Sequence, residues 1–109
     1  MRDIETRVIF LDGDWDIARR DELERLLKPA YDSPGNLIVD MHAVNYADST
    51  ILAALIVLRN RRRSKGLALP SLVIGSRQVR RLLSISGLIE AFPLYETLEE
   101  AKAGDSLTP

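Results

Sequence analysis

Two kinds of apolar pattern alternate along the chain. Short runs of β-branched, aromatic and leucine residues predict strands at residues 7–11, 36–41, 69–74 and 92–95. The first of these runs is followed by Asp12-Gly13, which predicts a turn at the end of the strand. The pattern therefore predicts a few short, mostly buried strands.

Between the strands, apolar residues recur at helical spacing. A helix capped by Asp16 is predicted to run to about Tyr31, with its inward face formed by Leu23, Leu26, Leu27, Ala30 and Tyr31. A second helix follows Asp48-Ser49-Thr50 and ends before Gly66. Because residues 51–58 are all apolar, we expect this helix to be largely buried.

Two further helices are predicted at residues 76–85, capped by Ser76, and at residues 97–103. Residues 42–47 are predicted to be a loop. Pro70, which can donate no ladder hydrogen bond, is expected at the start of the third strand or at a bulge. Strands and helices that alternate in this way favour an α/β fold with many parallel strand pairs.

Composition narrows the class of protein. The chain has 109 residues, no cysteine and a net charge of -1. One domain over residues 1–109 is expected, with a core at residues 7–103 and a flexible tail at 104–109. Disulfides and thiolate sites are excluded because there is no cysteine. The sequence also lacks an apolar run of about 18 residues, so no membrane-spanning helix is predicted. The first five residues do not resemble a signal peptide, so we expect a soluble, cytoplasmic protein.

Signals for catalysis and cofactors are weak. His42 is the only histidine, and no phosphate-binding glycine loop or nucleophile elbow is present in the sequence. Asp40, His42 and Asp48 lack any recognised metal-ligand spacing. We therefore expect no enzyme activity, no metal and no cofactor.

The basic segment at residues 59–65 holds four arginines and a lysine. Such a segment is compatible with phosphate contacts to a nucleic acid or with an acidic protein partner. It is equally compatible with a solvated helix end, where cations interact favourably with the helix dipole. The near-zero net charge favours an acidic protein partner or a solvated helix end over a nucleic acid, so no direct binding to nucleic acid or membrane is expected.

Asp48-Ser49-Thr50 is the most informative segment. All three side chains can cap a helix, which is the plainest interpretation. A phosphate on a hydroxyl at this position would lie at the positive end of the helix dipole and would add negative charge to a surface beside Asp48. The residues themselves leave capping and a phosphorylation switch both open.

The order of several segments resembles the STAS domains of anti-sigma factor antagonists. Residues 8–16 resemble their opening strand and turn, and residues 37–50 resemble their strand, connection and Asp-Ser-Ser/Thr motif. Residues 79–88 resemble their helix that ends in Gly-Leu. The resemblance spans about residues 7–103. It implies one STAS-like domain with a small, mixed but mostly parallel sheet of four to five strands and four helices.

The same resemblance implies a function. Members of this family bind an anti-sigma factor that is also a serine kinase, and so release a sigma factor in bacteria. The kinase phosphorylates the serine after the motif aspartate, and a phosphatase reverses the change. The matching residue is Ser49, with Thr50 as the less favoured site. The implied partner-binding residues are Asp16, Asn45, Tyr46, Asp48, Ser49, Thr50 and Ile51, with Trp15 at their border.

Three positions depart from the family pattern. Ile51 stands where glycine is usual, Trp15 replaces a smaller apolar residue, and Pro70 makes the approach to the third strand atypical. A β-branched residue at position 51 is expected to narrow access beside Ser49. A second hypothesis is therefore a STAS scaffold or regulatory subunit that binds protein partners, including other STAS proteins, without a phosphorylation cycle.

Overall fold

A computed structural model describes residues 5–106 of the chain. Two predictions fall partly outside the described residues. The absence of a signal peptide concerns residues 1–4, and the end of the expected tail concerns residues 107–109. The four strands are β1 Thr6–Trp15, β2 Asn36–Ala47, β3 Ser71–Ile74 and β4 Leu94–Tyr95. The four α-helices are α1 Arg20–Leu27, α2 Ser49–Ser64, α3 Arg77–Ile85 and α4 Leu98–Ser106.

The described strands form one sheet in the order β1-β2-β3-β4, and every neighbouring pair is parallel. A helix follows each strand, and α1, α2 and α3 carry the chain to the next strand, as parallel pairing requires. The α/β fold class is confirmed. No antiparallel pair occurs within residues 5–106, so the described sheet is fully parallel rather than mixed.

Helices cover both faces of the sheet. The larger core lies on one face, where leucines of α1, α2 and α3 pack against strand residues such as Leu11, Val39 and Leu72. On the other face, Ala101 of α4 packs over Ile38 and Val73 of the central strands. Burial of the central strands on both faces explains their continuous apolar runs. No helix within residues 5–106 is long and apolar enough to cross a membrane.

The predicted loop at residues 42–47 is wrong, because this segment is the second half of β2. Phe10 pairs with Asp40 and Asp12 pairs with Ala43, so β2 holds one extra residue at this point. Another register shift follows between Gly13 and Asp14. These β-bulges break the regular alternation of apolar and polar residues by which the strand could have been recognised.

The ends of several elements also differ from the expected ones. β1 runs through Gly13, which has a φ of 82° that only glycine adopts readily, so the predicted turn is absent. The first helix is divided into the 3₁₀ turn Ile17–Arg19, α1 and the 3₁₀ turn Lys28–Ala30, and Leu26 is exposed rather than inward. Helix α4 continues beyond the expected end to Ser106.

Candidate functional site

The start of α2 lies at the carboxyl edge of the sheet. Ala47, the last residue of β2, pairs with Trp15, the last residue of β1. The backbone N–H of Asp48 donates to the carbonyl of Trp15 at 3.2 Å. Crevices beyond the carboxyl ends of parallel strands are the usual location of binding sites in open α/β sheets. The strand pairing therefore presents the Asp48-Ser49-Thr50 segment at the edge where such sites form.

Of the three residues that could cap α2, Asp48 is the one that does so. Its carboxylate accepts a hydrogen bond from the Thr50 N–H at 2.8 Å, and its carbonyl accepts one from the Ile51 N–H at 3.2 Å. Ser49 is the first residue of the helix and is exposed, whereas Thr50 is half-buried. The Ser49 hydroxyl has no hydrogen-bond partner among residues 5–106. Capping is thus performed by Asp48, and the Ser49 hydroxyl is left available for other chemistry.

Gln78 of α3 holds the end of β2 in place, a role that no sequence pattern indicated. Its side-chain NH₂ donates to the Ala47 carbonyl at 2.8 Å, and its carbonyl oxygen accepts from the Ala47 N–H at 2.9 Å. The Ser76 hydroxyl donates to the carbonyl of Asn45 at 3.2 Å. The amide of Gln78 therefore takes the place of a neighbouring strand. These bonds hold the connection that carries Asp48.

An apolar groove adjoins Ser49. It has a volume of about 290 Å³ and lies between α2 and the segment around α1. Ile17, Tyr31, Ala53 and Val57 provide apolar walls, while Arg20 lines the same groove. Ile17 is 69% exposed and Val57 is 41% exposed. Helix α2 is largely buried as expected, through Ile51, Leu52, Leu55 and Leu58, but this face of it is open to the groove. No pattern in the sequence indicated that Ile17 lies at this surface.

The other residues expected to contact a partner fall into two groups. Asp16, Asn45 and Tyr46 are exposed, and Tyr46 lies opposite Asp14 in the pairing of β1 with β2. Ile51 is wholly buried in the core and is not available for contact in this conformation. Ile51 therefore belongs to the core and not to the predicted partner-binding surface.

Residues 2–101 match the STAS domain. This chain belongs to the STAS domain family. Among solved structures, the fold of this STAS domain is similar to an anti-sigma factor antagonist from Mycobacterium paratuberculosis, with a TM-score of 0.77 and 27% sequence identity. That match covers 93% of this chain and 86% of that chain.

The fold is also similar to a sulfate transporter family protein from Wolinella succinogenes, with a TM-score of 0.75 and 21% identity. This second match covers 94% of this chain and 85% of that chain. A comparison with curated protein sequences found no significant match.

The departures of this STAS domain from the family pattern have structural explanations. Ile51 directs its side chain into the core, so it does not shield the exposed Ser49, contrary to expectation. Trp15 is 2% exposed and so does not itself border the surface. Pro70 immediately precedes β3, where its missing N–H costs no ladder hydrogen bond.

Arg19 covers Trp15. Its guanidinium lies 3.5 Å from the centre of the indole ring and is held by Glu22 through bonds of 3.0 and 3.1 Å. The hydrogen bond from Arg19 lowers the pKa of the Glu22 carboxyl below its ordinary value. The indole N–H of Trp15 is buried and has no hydrogen-bond partner among the described residues. Arg19 thus covers the end of β1 next to the candidate site.

His42 forms a local pair and is not part of a larger cluster. Its Nδ1 lies 2.8 Å from the buried carboxylate of Asp40, which also accepts a hydrogen bond from the His42 backbone N–H at 3.1 Å. Within residues 5–106, no group of three or more acidic or histidine side chains could hold a metal ion. His42 is exposed, and it lies in a strand and not in the predicted loop.

The basic segment is not a uniform surface patch. Arg62 is wholly buried, and Arg59 donates to the carbonyl of Ala91 at 2.7 Å. Arg61 stacks on Tyr31 with 5.1 Å between the guanidinium carbon and the ring centre. Three of the four arginines therefore make contacts within the fold, which weakens the interpretation of this segment as a phosphate-binding surface.

Proposed function

We propose that this STAS domain is an anti-sigma factor antagonist. It binds an anti-sigma factor that is a serine kinase, and phosphorylation of Ser49 ends the binding. The protein acts by binding rather than by catalysis. The observation that carries the proposal is the exposed Ser49 hydroxyl on the first residue of α2, beside the capping Asp48 and the apolar groove. The similarity to a solved anti-sigma factor antagonist supports the same function.

The groove and Ser49 form one contact surface in this proposal. An apolar side chain of the kinase enters between Ile17, Tyr31 and Val57, where it removes exposed apolar area from water. Ser49 lines the same groove, so its hydroxyl lies within the contact. A phosphate there adds about -1.5 to -2 charge to an interface fitted to a neutral hydroxyl. Desolvation of that charge, together with repulsion from Asp48, opposes binding.

The switch acts on the surface and leaves the fold intact. Asp48 already satisfies the Thr50 N–H, so a phosphate on Ser49 displaces no cap. Negative charge in the first turn of a helix interacts favourably with the helix dipole. We therefore expect Ser49→Asp to keep the melting temperature of the wild type or to raise it slightly. Loss of partner binding in this variant would then report on the contact surface alone.

The test is a capture experiment from a lysate of the native host, followed by titration of the captured kinase. The baits are wild type, Ser49→Ala, Ser49→Asp and the matched control Ser84→Asp, which places the same charge at an exposed serine of α3. Wild type, Ser49→Ala and Ser84→Asp should hold the kinase, and Ser49→Asp should release it. Unchanged affinity of Ser49→Asp would refute the switch. It would favour the alternative, a STAS scaffold without a phosphorylation cycle.

A further inference from the structure

Strand β1 is an edge of the sheet. Within residues 5–106 no strand pairs with its outer side. The Glu5 carbonyl accepts from the Asn36 N–H at 2.8 Å, and the Trp15 carbonyl accepts from the Asp48 N–H at 3.2 Å. Backbone groups of alternate residues in a strand point in opposite directions. Odd-numbered residues of β1 therefore direct their N–H and C=O groups towards β2, and even-numbered residues direct theirs outwards.

Only half of this outer edge is protected. The outward carbonyls of Asp12 and Asp14 accept hydrogen bonds from Nη1 of Arg19 at 3.2 and 2.9 Å. No side chain of the described residues makes a comparable bond to the outward groups of residues 6–10. Proteins usually block exposed strand edges, because an open edge pairs readily with another strand. The selective protection by Arg19 defines residues 6–10 as an open edge.

The open edge also presents apolar side chains. Val8 is 38% exposed and Phe10 is 52% exposed. Both lie on the face where α4 packs over the neighbouring Ile38 and Val73, but α4 does not cover them. Unpaired backbone groups and exposed apolar side chains thus occur together on one short segment.

We infer that this chain forms a two-fold symmetric dimer in which β1 pairs antiparallel with β1 of a second copy, centred on Val8. In this register Val8 faces Val8 of the second copy, and Thr6 faces Phe10 of the second copy. Each of these residues has outward N–H and C=O groups that are free to form the ladder. A centre at Ile9 or Phe10 would instead place Thr6 or Val8 opposite Asp12, whose carbonyl Arg19 already occupies.

The side chains are compatible with this register. The two Val8 side chains pack against each other across the axis, and each Phe10 ring covers a Thr6 methyl group, a type of pair that stabilises antiparallel strands. Arg7 is the one charged residue between positions 6 and 10 and lies on the opposite face. Its aliphatic stem can cover Ile9 of the second copy while its guanidinium stays in water.

A second copy matches this edge better than an unrelated strand. The open segment is short and is limited on one side by Arg19, and a second copy offers the same three outward residues, so that in the Val8 register each free residue of one edge meets a free residue of the other. The dimer leaves the candidate site free, because Trp15, next to Asp48, lies about 20 Å along β1 from Val8. The inference is independent of the proposed function, and each dimer would carry two accessible Ser49 residues.

The first test is analytical ultracentrifugation of the full chain over a range of concentrations. The average mass should rise from 12.2 kDa towards twice that value. Val8→Pro removes an outward N–H and the Val8 side chain at the axis but leaves the ladder with β2 intact, so it should weaken the dimer by at least about tenfold. Ile85→Lys, which removes an exposed apolar residue from α3, should have no effect. A monomer at every concentration, or a dimer unaffected by Val8→Pro, would overturn the inference.

The second test fixes the register. Facing residues of a hydrogen-bonded antiparallel pair have Cα atoms about 5.5 Å apart, within the range of a disulfide. The chain has no cysteine, so Val8→Cys should form a covalent dimer under mild oxidation. Phe10→Cys faces Thr6 and should cross-link much more slowly, as should the control Ile85→Cys. Equal rates for Val8→Cys and Ile85→Cys would contradict pairing centred on Val8.

Discussion

Replacement of the buried Arg62 should destabilise this STAS domain more than any change in the exposed part of the basic segment. The Arg62 side chain donates to the carbonyls of Ala30 at 2.8 Å and Ser33 at 2.9 Å through Nη1. It donates to Gly35 at 3.0 Å through Nη2 and to Ala68 at 2.7 Å through Nε. One guanidinium thus joins α2 to the connection before β2 and to the segment before β3.

The expected loss follows from these bonds. A hydrogen bond to a charged group contributes about 1.5–3 kcal/mol, but burial of the guanidinium charge offsets part of the total. The same desolvation lowers the pKa of Arg62 from its ordinary value, although the group remains charged at neutral pH. For Arg62→Met we expect a loss of about 3–5 kcal/mol, which lowers the melting temperature by at least about 12 °C in a domain of this size.

Urea unfolding followed by the fluorescence of Trp15 and by circular dichroism measures this loss. Arg62→Lys should retain the charge but lose the planar donor geometry, and is expected to cost about 2 kcal/mol. Arg63→Ala is the matched control, because Arg63 is the next residue of α2 and is exposed. Its effect should stay within about 0.5 kcal/mol.

Two results would refute this reasoning. Equal stability of Arg62→Lys and wild type would mean that charge alone accounts for the contribution of Arg62. Stability of Arg62→Met within about 1 kcal/mol of wild type would mean that water replaces the guanidinium at these carbonyls without a large penalty.

Two further predictions concern the surroundings of the candidate site. The pKa of Glu22, measured by NMR titration, should lie below its ordinary value and should rise towards that value in Arg19→Ala. A carboxyl with a lowered pKa in the folded state stabilises the fold above its unfolded-state pKa, and this stability is lost as the pH falls through its folded-state pKa. Glu22→Gln should therefore make stability depend less on pH in the acid range. Gln78→Leu should cost about 1–3 kcal/mol and should selectively raise the hydrogen-exchange rate of the Ala47 amide, whereas unchanged protection of that amide would contradict the role assigned to Gln78.

Local sequence patterns predicted most of the elements. Compact apolar runs marked β3 and the first halves of β1 and β2, and Ser76 marked the start of α3. The second half of β2 was missed because two bulges interrupt its alternation, and those bulges exist only through its pairing with β1. The sequence of one strand does not specify the register in which a neighbouring strand pairs with it.

The site was predicted in part. The Asp48 cap and the position of Ser49 follow from a local motif, since a capping residue acts on the N–H groups that come directly after it. Gln78 lies 31 residues from Ala47, and no spacing rule connects an amide in α3 to the end of β2. The exposure of Ile17 depends likewise on how its 3₁₀ turn lies beside α2, a helix that is distant in the chain.

The sequence by itself determined the family, the fold class and the helix start that carries Ser49, because these depend on short-range patterns of side chains. The tertiary structure alone decided which residues of those patterns face inwards. It buried Ile51 and Arg62, opened the groove beside Ser49, and left the outer edge of β1 at residues 6–10 without a partner strand among the described residues. The physical reason is that burial and hydrogen bonding of a side chain depend on segments distant in the chain, and their arrangement is fixed only when the whole sheet and its helices pack together.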